Sequence, residues 1–132
     1  MPRSLSFTGL TTESRCDDAP PLDRGDVVLI SFPFSDLSAE KVRPALIAGR
    51  VTGEDLVLAF ITSRVEALDP RADVLLDARA SEFQATGLKV PSSVRLNKLA
   101  TLHRSLARRR LGAIGPRTRR VVAGALRYVF AL

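Results

Sequence analysis

Arg43 stands before Pro44 between two apolar runs, in residues 25–49, which read GDVVLISFPFSDLSAEKVRPALIAG. Beside a rigid proline, a planar guanidinium fork is set up to hold two phosphoryl oxygens at once, which the point charge of a lysine does not do. Thr62 and Ser63 close a later apolar run, LVLAFITS, and offer hydroxyls that can hydrogen-bond a phosphate. Arg95 and Asn97 are two residues apart, so on a regular strand they share one side. An amide at Asn97 can orient a base or a hydroxyl but takes up no proton at neutral pH. The single histidine, His103, excludes a two-histidine ribonuclease and reads best as an ordinary surface residue. Arg108-Arg109-Arg110 reads equally as a phosphate- or partner-contacting edge and as a charged edge strand that resists aggregation. There is no glycine-rich phosphate loop, no Ser-His-Asp order and no metal-ligand cluster, so kinase, dehydrogenase and metallohydrolase readings fall away. Neither metal nor cofactor is expected.

These side chains need short strands to carry them. Apolar, β-forming runs predict strands over 26–33, 45–51, 55–62 and 73–77. Thr52-Gly53-Glu54 makes a tight hairpin of the second and third. The polar segment 35–42 becomes a loop able to close over a ligand. Residues 80–86, ended by Gly87, read as a short helix, and further strands follow at 92–96, 100–103 and 107–114. Gly115-Pro116 then starts a helix whose apolar face is Val121, Val122, Ala125, Leu126, Val129 and Phe130. Many short strands with one terminal amphipathic helix predict a mainly β protein, a small, strongly curved β-barrel capped by that helix. Residues 1–23, rich in Ser, Thr, Asp and Pro, read as a disordered extension to a folded domain over 24–132.

Charge is distributed unevenly. The net charge is +6, yet the last acidic residue is Glu82, and residues 83–132 hold eleven Lys or Arg. A stretch of one sign this long attracts polyanions, nucleic acid first among them, though a solvated basic face or a surface awaiting an acidic protein gives the same composition. Trp is absent and aromatics make up 5%, so RNA contact would rest on charge and backbone more than on stacked rings. Cys16, the only cysteine, excludes an intrachain disulfide and a cysteine-rich zinc site. No apolar run reaches the ~20 residues of a membrane helix and the first residues lack the apolar core of a signal peptide, so a cytoplasmic protein is expected.

The order Gly-Asp, apolar strand with Pro-Phe, loop, Arg-Pro-Ala-Leu resembles the MazF/PemK family of toxin endoribonucleases from bacterial toxin–antitoxin pairs. LVLAFITS and SVRLNKLATLHRSLARRRLG (93–112) extend the resemblance, which covers about 24–115. It implies a growth-inhibiting, metal-independent endoribonuclease that cuts single-stranded RNA, leaving 2′,3′-cyclic phosphate and 5′-hydroxyl ends. It also implies a homodimer and a cognate antitoxin whose acidic or hydrophobic tail blocks the RNA groove. By resemblance Arg43 and Thr62 take the family's two catalytic positions and Arg95 a third. Lys41, Arg64, Lys98 and Arg108 are then the candidate RNA contacts. Where PemK-type toxins carry Arg-x-Asp, with the carboxylate as base, this chain has Asn97. Either Glu40, three residues before Arg43, supplies the missing base, or cleavage rests on positioning and charge, or the protein is impaired. Two further readings stay open: a gyrase-targeting toxin similar to CcdB, disfavoured by the Trp-free ending Val129-Phe130-Ala131-Leu132, and a catalytically silent barrel that binds only nucleic acid or antitoxin.

Overall fold

The computed structural model describes residues 21–32, 41–66 and 69–132. The expected extension up to residue 20, with Cys16, and residues 33–40, with Glu40 and most of the loop expected over 35–42, lie outside the described residues. Among these residues six antiparallel strands, β1 (Asp26–Phe32), β2 (Lys41–Ile47), β3 (Asp55–Thr62), β4 (Asp73–Leu76), β5 (Ser92–His103) and β6 (Ala107–Ala113), are followed by one helix, α1 (Pro116–Phe130). They form one sheet in the order β4-β5-β3-β2-β1-β6. The end strands β4 and β6 are not paired with each other, so this mainly β, barrel-type sheet stays open along one side.

Both faces of the sheet are buried, which alternation in β1 to β3 produces. Val28, Ile30 and Phe32 pack with Ala45, Ile47, Leu56 and Leu58 on one face. The far half of β5 and the start of β6 cover part of that cluster through Leu102 and Ala107. Val27, Leu46, Ala59, Ile61, Val94 and Leu96 form the other face, which receives Val122 and Ala125 of α1. Leu126 and Val129 complete the helix stripe, whereas Val121 and Phe130, expected on it, are exposed. An apolar stripe about 100° wide is enough to seal this side. Register shifts where β6 meets β1, and again between β3 and β5, add local twist and bend the sheet.

Three elements differ from the sequence expectation, each for a local reason. The strands expected at 92–96 and 100–103 are one continuous β5, because the polar break between them is accommodated as a bulge. β2 begins at Lys41 rather than at Ala45, so Arg43 and Pro44 lie inside a strand. Proline is tolerated there because only β1 flanks that half of β2; pairing with β3 ends at Ala45. The helix expected over 80–86 reduces to turns ending in a 3₁₀ turn, Gln84–Thr86, closed by Gly87 at φ 77°. Seven residues give too few hydrogen bonds to offset helix nucleation. The expected hairpin is present: Thr52 and Asp55 bridge around Gly53, whose φ of 60° suits glycine.

Glu82, the last acidic residue, reaches across 35 positions to the start of α1. Its carboxylate accepts the backbone N–H of Arg117 and both the N–H and hydroxyl of Thr118, at 3.0 to 3.1 Å. Gly115 has no side-chain cap to offer, and a Cβ there would collide with the Glu82 side chain. Glu82 therefore caps a helix whose first turn contains no acid of its own. The Arg117 N–H, followed by the Thr118 donors, holds the Glu82 carboxyl below its ordinary 4.5. A depressed folded pKa contributes stability above the unfolded value and loses it as pH falls through the folded one. Glu82→Gln is thus expected to lower the melting temperature at pH 7, and the gap from the parent should close on acidification below about pH 4. Calorimetry from pH 7 to 3 checks this; a gap independent of pH would mean that the carboxylate's charge is not what caps the helix.

Candidate active site

The end of the β2–β3 ladder opens a hollow of about 390 Å³ between the two strands and β5. Register puts most of its side chains on one face. Arg43 lies opposite Ile30 and Lys41 opposite Phe32, while Phe60 lies opposite Ala45 on one side and Arg95 on the other. Thr62 faces Ser93, two residues further along. Arg43, Thr62 and Arg95, drawn from β2, β3 and β5, thus meet in one hollow with Lys41 and Lys98. Its remaining wall is apolar: Phe32, Pro44, Phe60 and Ile61. The rings of Phe32 and Phe60 meet edge-on, with centroids 4.8 Å apart. None of this wall was singled out as a site in the sequence, although the alternation of β1 and β3 places both phenylalanines on the same face as Arg43.

Lys98 enters because β5 is irregular. Phe60 faces Arg95 while its neighbour Ala59 faces Leu99, so residues 96–98 of β5 are extra relative to β3. In a regular strand Arg95 and Asn97 would share a side. Within the bulge, Asn97 is exposed and is not part of the wall, and Lys98 takes that place beside Arg95. Ser63 and Arg64 follow Thr62 outward and are exposed, outside the wall; the Arg64 guanidinium lies 3.8 Å from Glu66. Arg108 is exposed on β6, beyond β1 from the hollow. His103 has a structural use: its Nδ1 accepts the Ser105 N–H at the turn between β5 and β6.

The hollow is built for an anion with apolar parts attached. Four cations and one hydroxyl line it, and no carboxylate does so among the described residues. Thr62 Oγ1 accepts the Arg64 N–H at 3.1 Å, which leaves the hydroxyl proton available for an incoming oxygen. The Arg43 side chain is exposed and makes no hydrogen bond or ion pair with another described residue. Arg95 is held from behind: its Nε donates to Asp73 Oδ1 at 2.9 Å. Among the described residues no cluster of His, Cys, Asp or Glu could hold a metal ion, and no helix is long and apolar enough to cross a membrane.

Residues 23–130 match the family described as PemK-like, MazF-like toxin of type II toxin-antitoxin system. That span extends the resemblance seen in the sequence through α1. No curated protein is similar enough to match the chain. Among solved structures, the Mycobacterium tuberculosis toxin MazF-mt6 superposes with a TM-score of 0.64 at 23% identity, covering 81% of this chain and 97% of that one. An endoribonuclease in complex with its cognate antitoxin, from Mycobacterial species, gives 0.65 at 19%, covering 85% and 97%. MazE-MazF from Deinococcus radiodurans gives 0.64 at 24%, covering 84% and 96%. At such identities the likeness to these structures is one of fold.

Proposed function

Since this chain belongs to the PemK-like, MazF-like toxins of type II toxin–antitoxin systems, we propose that it is a metal-independent endoribonuclease cutting single-stranded RNA in the cytoplasm. The observation that carries this reading is the meeting of Arg43, Thr62 and Arg95 in one cationic hollow with an apolar wall. In the reaction the 2′-oxygen bonds to phosphorus, its proton passes to a base, and the bond to the 5′-oxygen breaks as that oxygen gains a proton. The products are a 2′,3′-cyclic phosphate and a 5′-hydroxyl. The Arg43 fork grips the two non-bridging oxygens, and its interaction strengthens as charge builds on them. Thr62 donates a hydrogen bond from its hydroxyl to one of these oxygens, and Arg95 offsets charge at the departing 5′-oxygen. Lys41 and Lys98 hold the flanking phosphates, while Arg64 and Arg108 lie further out along the strand's path.

Two solved relatives are complexes with an antitoxin. The strongly basic second part of this chain suits a partner with an acidic, flexible tail that lies over the same hollow. A homodimer is the family's arrangement and the one proposed here. The decisive experiment is cleavage of an unstructured RNA by purified protein in excess EDTA, with mapping of the ends. Cutting should continue at full rate and leave cyclic phosphates. Activity lost with chelator and restored by magnesium would overturn the mechanism, and gyrase-dependent DNA breakage without RNA cleavage would favour the CcdB-like alternative.

A further inference from the structure

Asp73 was not a candidate in the sequence, and it does not line the hollow. The register nevertheless puts it directly behind the site, since Phe60 faces Arg95 across β3–β5 and Arg95 faces Asp73 across β5–β4. The Asp73 side chain is 1% exposed and that of Arg95 27%. Both carboxylate oxygens are in use: Oδ1 accepts Arg95 Nε and Oδ2 accepts the backbone N–H of Asp69, each at 2.9 Å. The Asp73 backbone N–H in turn donates to the Asp69 carbonyl at 2.7 Å, which fixes the carboxylate to its own loop. Among the described residues the Arg95 side chain makes no other hydrogen bond, so the four N–H donors of its two terminal nitrogens remain for a ligand.

We infer that Asp73 is a positioning residue for the proposed cleavage: it grips Arg95 at Nε and so presents the terminal nitrogens to a phosphate in the hollow. Packing alone gives weak reason for such a pair, because a buried ion pair is costly to desolvate and apolar residues of similar volume often serve as well. The next register pair across β4 and β5, Val74 with Val94, is apolar and fully accommodated. Charge is kept only where β5 reaches the hollow. The physical gain is preorganisation, since an arginine already held in one rotamer loses less freedom when a phosphate arrives.

The inference rests on the ribonuclease reading, and its test separates the two. Asp73→Asn should slow single-turnover RNA cleavage by about tenfold to a hundredfold, the range set by misplacing a reacting group, with a smaller change in KM. It should also weaken binding of an uncleavable RNA carrying 2′-deoxy sugars. In an Arg95→Ala background the same substitution should change rate and binding by no more than about twofold, because its effect has no other route. Equal effects in both backgrounds would overturn the inference. Should Asp73→Asn fail to fold, the unaltered protein decides by NMR. The Arg95 Nε–H should exchange with water far more slowly than that of exposed Arg43, and equal exchange overturns the inference. A parent protein that binds the uncleavable RNA without cutting any RNA sinks the ribonuclease reading, and the binding cycle then still decides on Asp73. No binding at all sinks the inference too.

Discussion

Arg43→Lys is expected to cleave RNA almost as poorly as Arg43→Ala, both at least about a hundredfold slower than the parent in single-turnover assays, the loss typical of removing one preorganised donor to a developing oxyanion. A lysine keeps the charge and the reach. It lacks the two parallel N–H groups that meet two oxygens together, and it spreads its three donors around a rotating ammonium. The position favours this outcome, since β1 orders the backbone of Arg43 through its pairing opposite Ile30 while its side chain is exposed. Both variants should therefore keep the parent's melting temperature, because the substituted atoms are not part of either apolar cluster. If the lysine variant retained most of its turnover, Arg43 would be acting as a charge only, and the two-pronged grip would be the wrong description. Binding of uncleavable RNA should fall less than the rate, since the grip matters most where charge develops.

The fold was legible where local rules act alone. Short apolar, β-forming runs marked β1 and β3, Gly53 marked the hairpin, and Gly115-Pro116 marked the start of α1. Arg43, Thr62 and Arg95 were candidates by type and by resemblance, and the structure brings all three to one hollow. What was not legible depends on pairing between distant strands. Parity along 92–97 placed Asn97 beside Arg95, but β5 bulges there to match β3, and Lys98 arrives instead. Pro44 read as a rigid residue ahead of the strand expected at 45–51, whereas it lies in the half of β2 that β3 does not pair, and the hollow opens at that point. The Asp73–Arg95 contact spans 22 residues and follows from the β4–β5 register alone. Glu82 as the cap of α1 was hidden for the same reason.

The placement of Asn97 bears on the missing base. Had the amide stood in the hollow beside Arg95, restoring a carboxylate with Asn97→Asp would be expected to speed cleavage by about tenfold or more, the usual contribution of a placed base. Exposed on a bulge and outside the wall, Asn97 gives no such leverage. Asn97→Asp is therefore expected to leave the rate within about twofold of the parent, as a change at an exposed side chain outside the wall. The carboxylate nearest to the site in sequence is Glu40, which precedes Lys41 of the wall and lies outside the described residues. If Glu40 is the base, Glu40→Gln should slow cleavage by about a hundredfold or more. The sign of the pH effect is fixed: a base works ionised, so the parent's rate falls on acidification through its pKa, and the glutamine variant should lose that acidic limb. Single-turnover rates across pH check both substitutions together. A fast Asn97→Asp variant would place the amide in the reaction after all. Should Glu40→Gln cleave as the parent does with the same pH profile, neither side chain takes the proton. Alignment and charge from Arg43, Thr62 and Arg95 would then carry the reaction, with proton removal left to solvent.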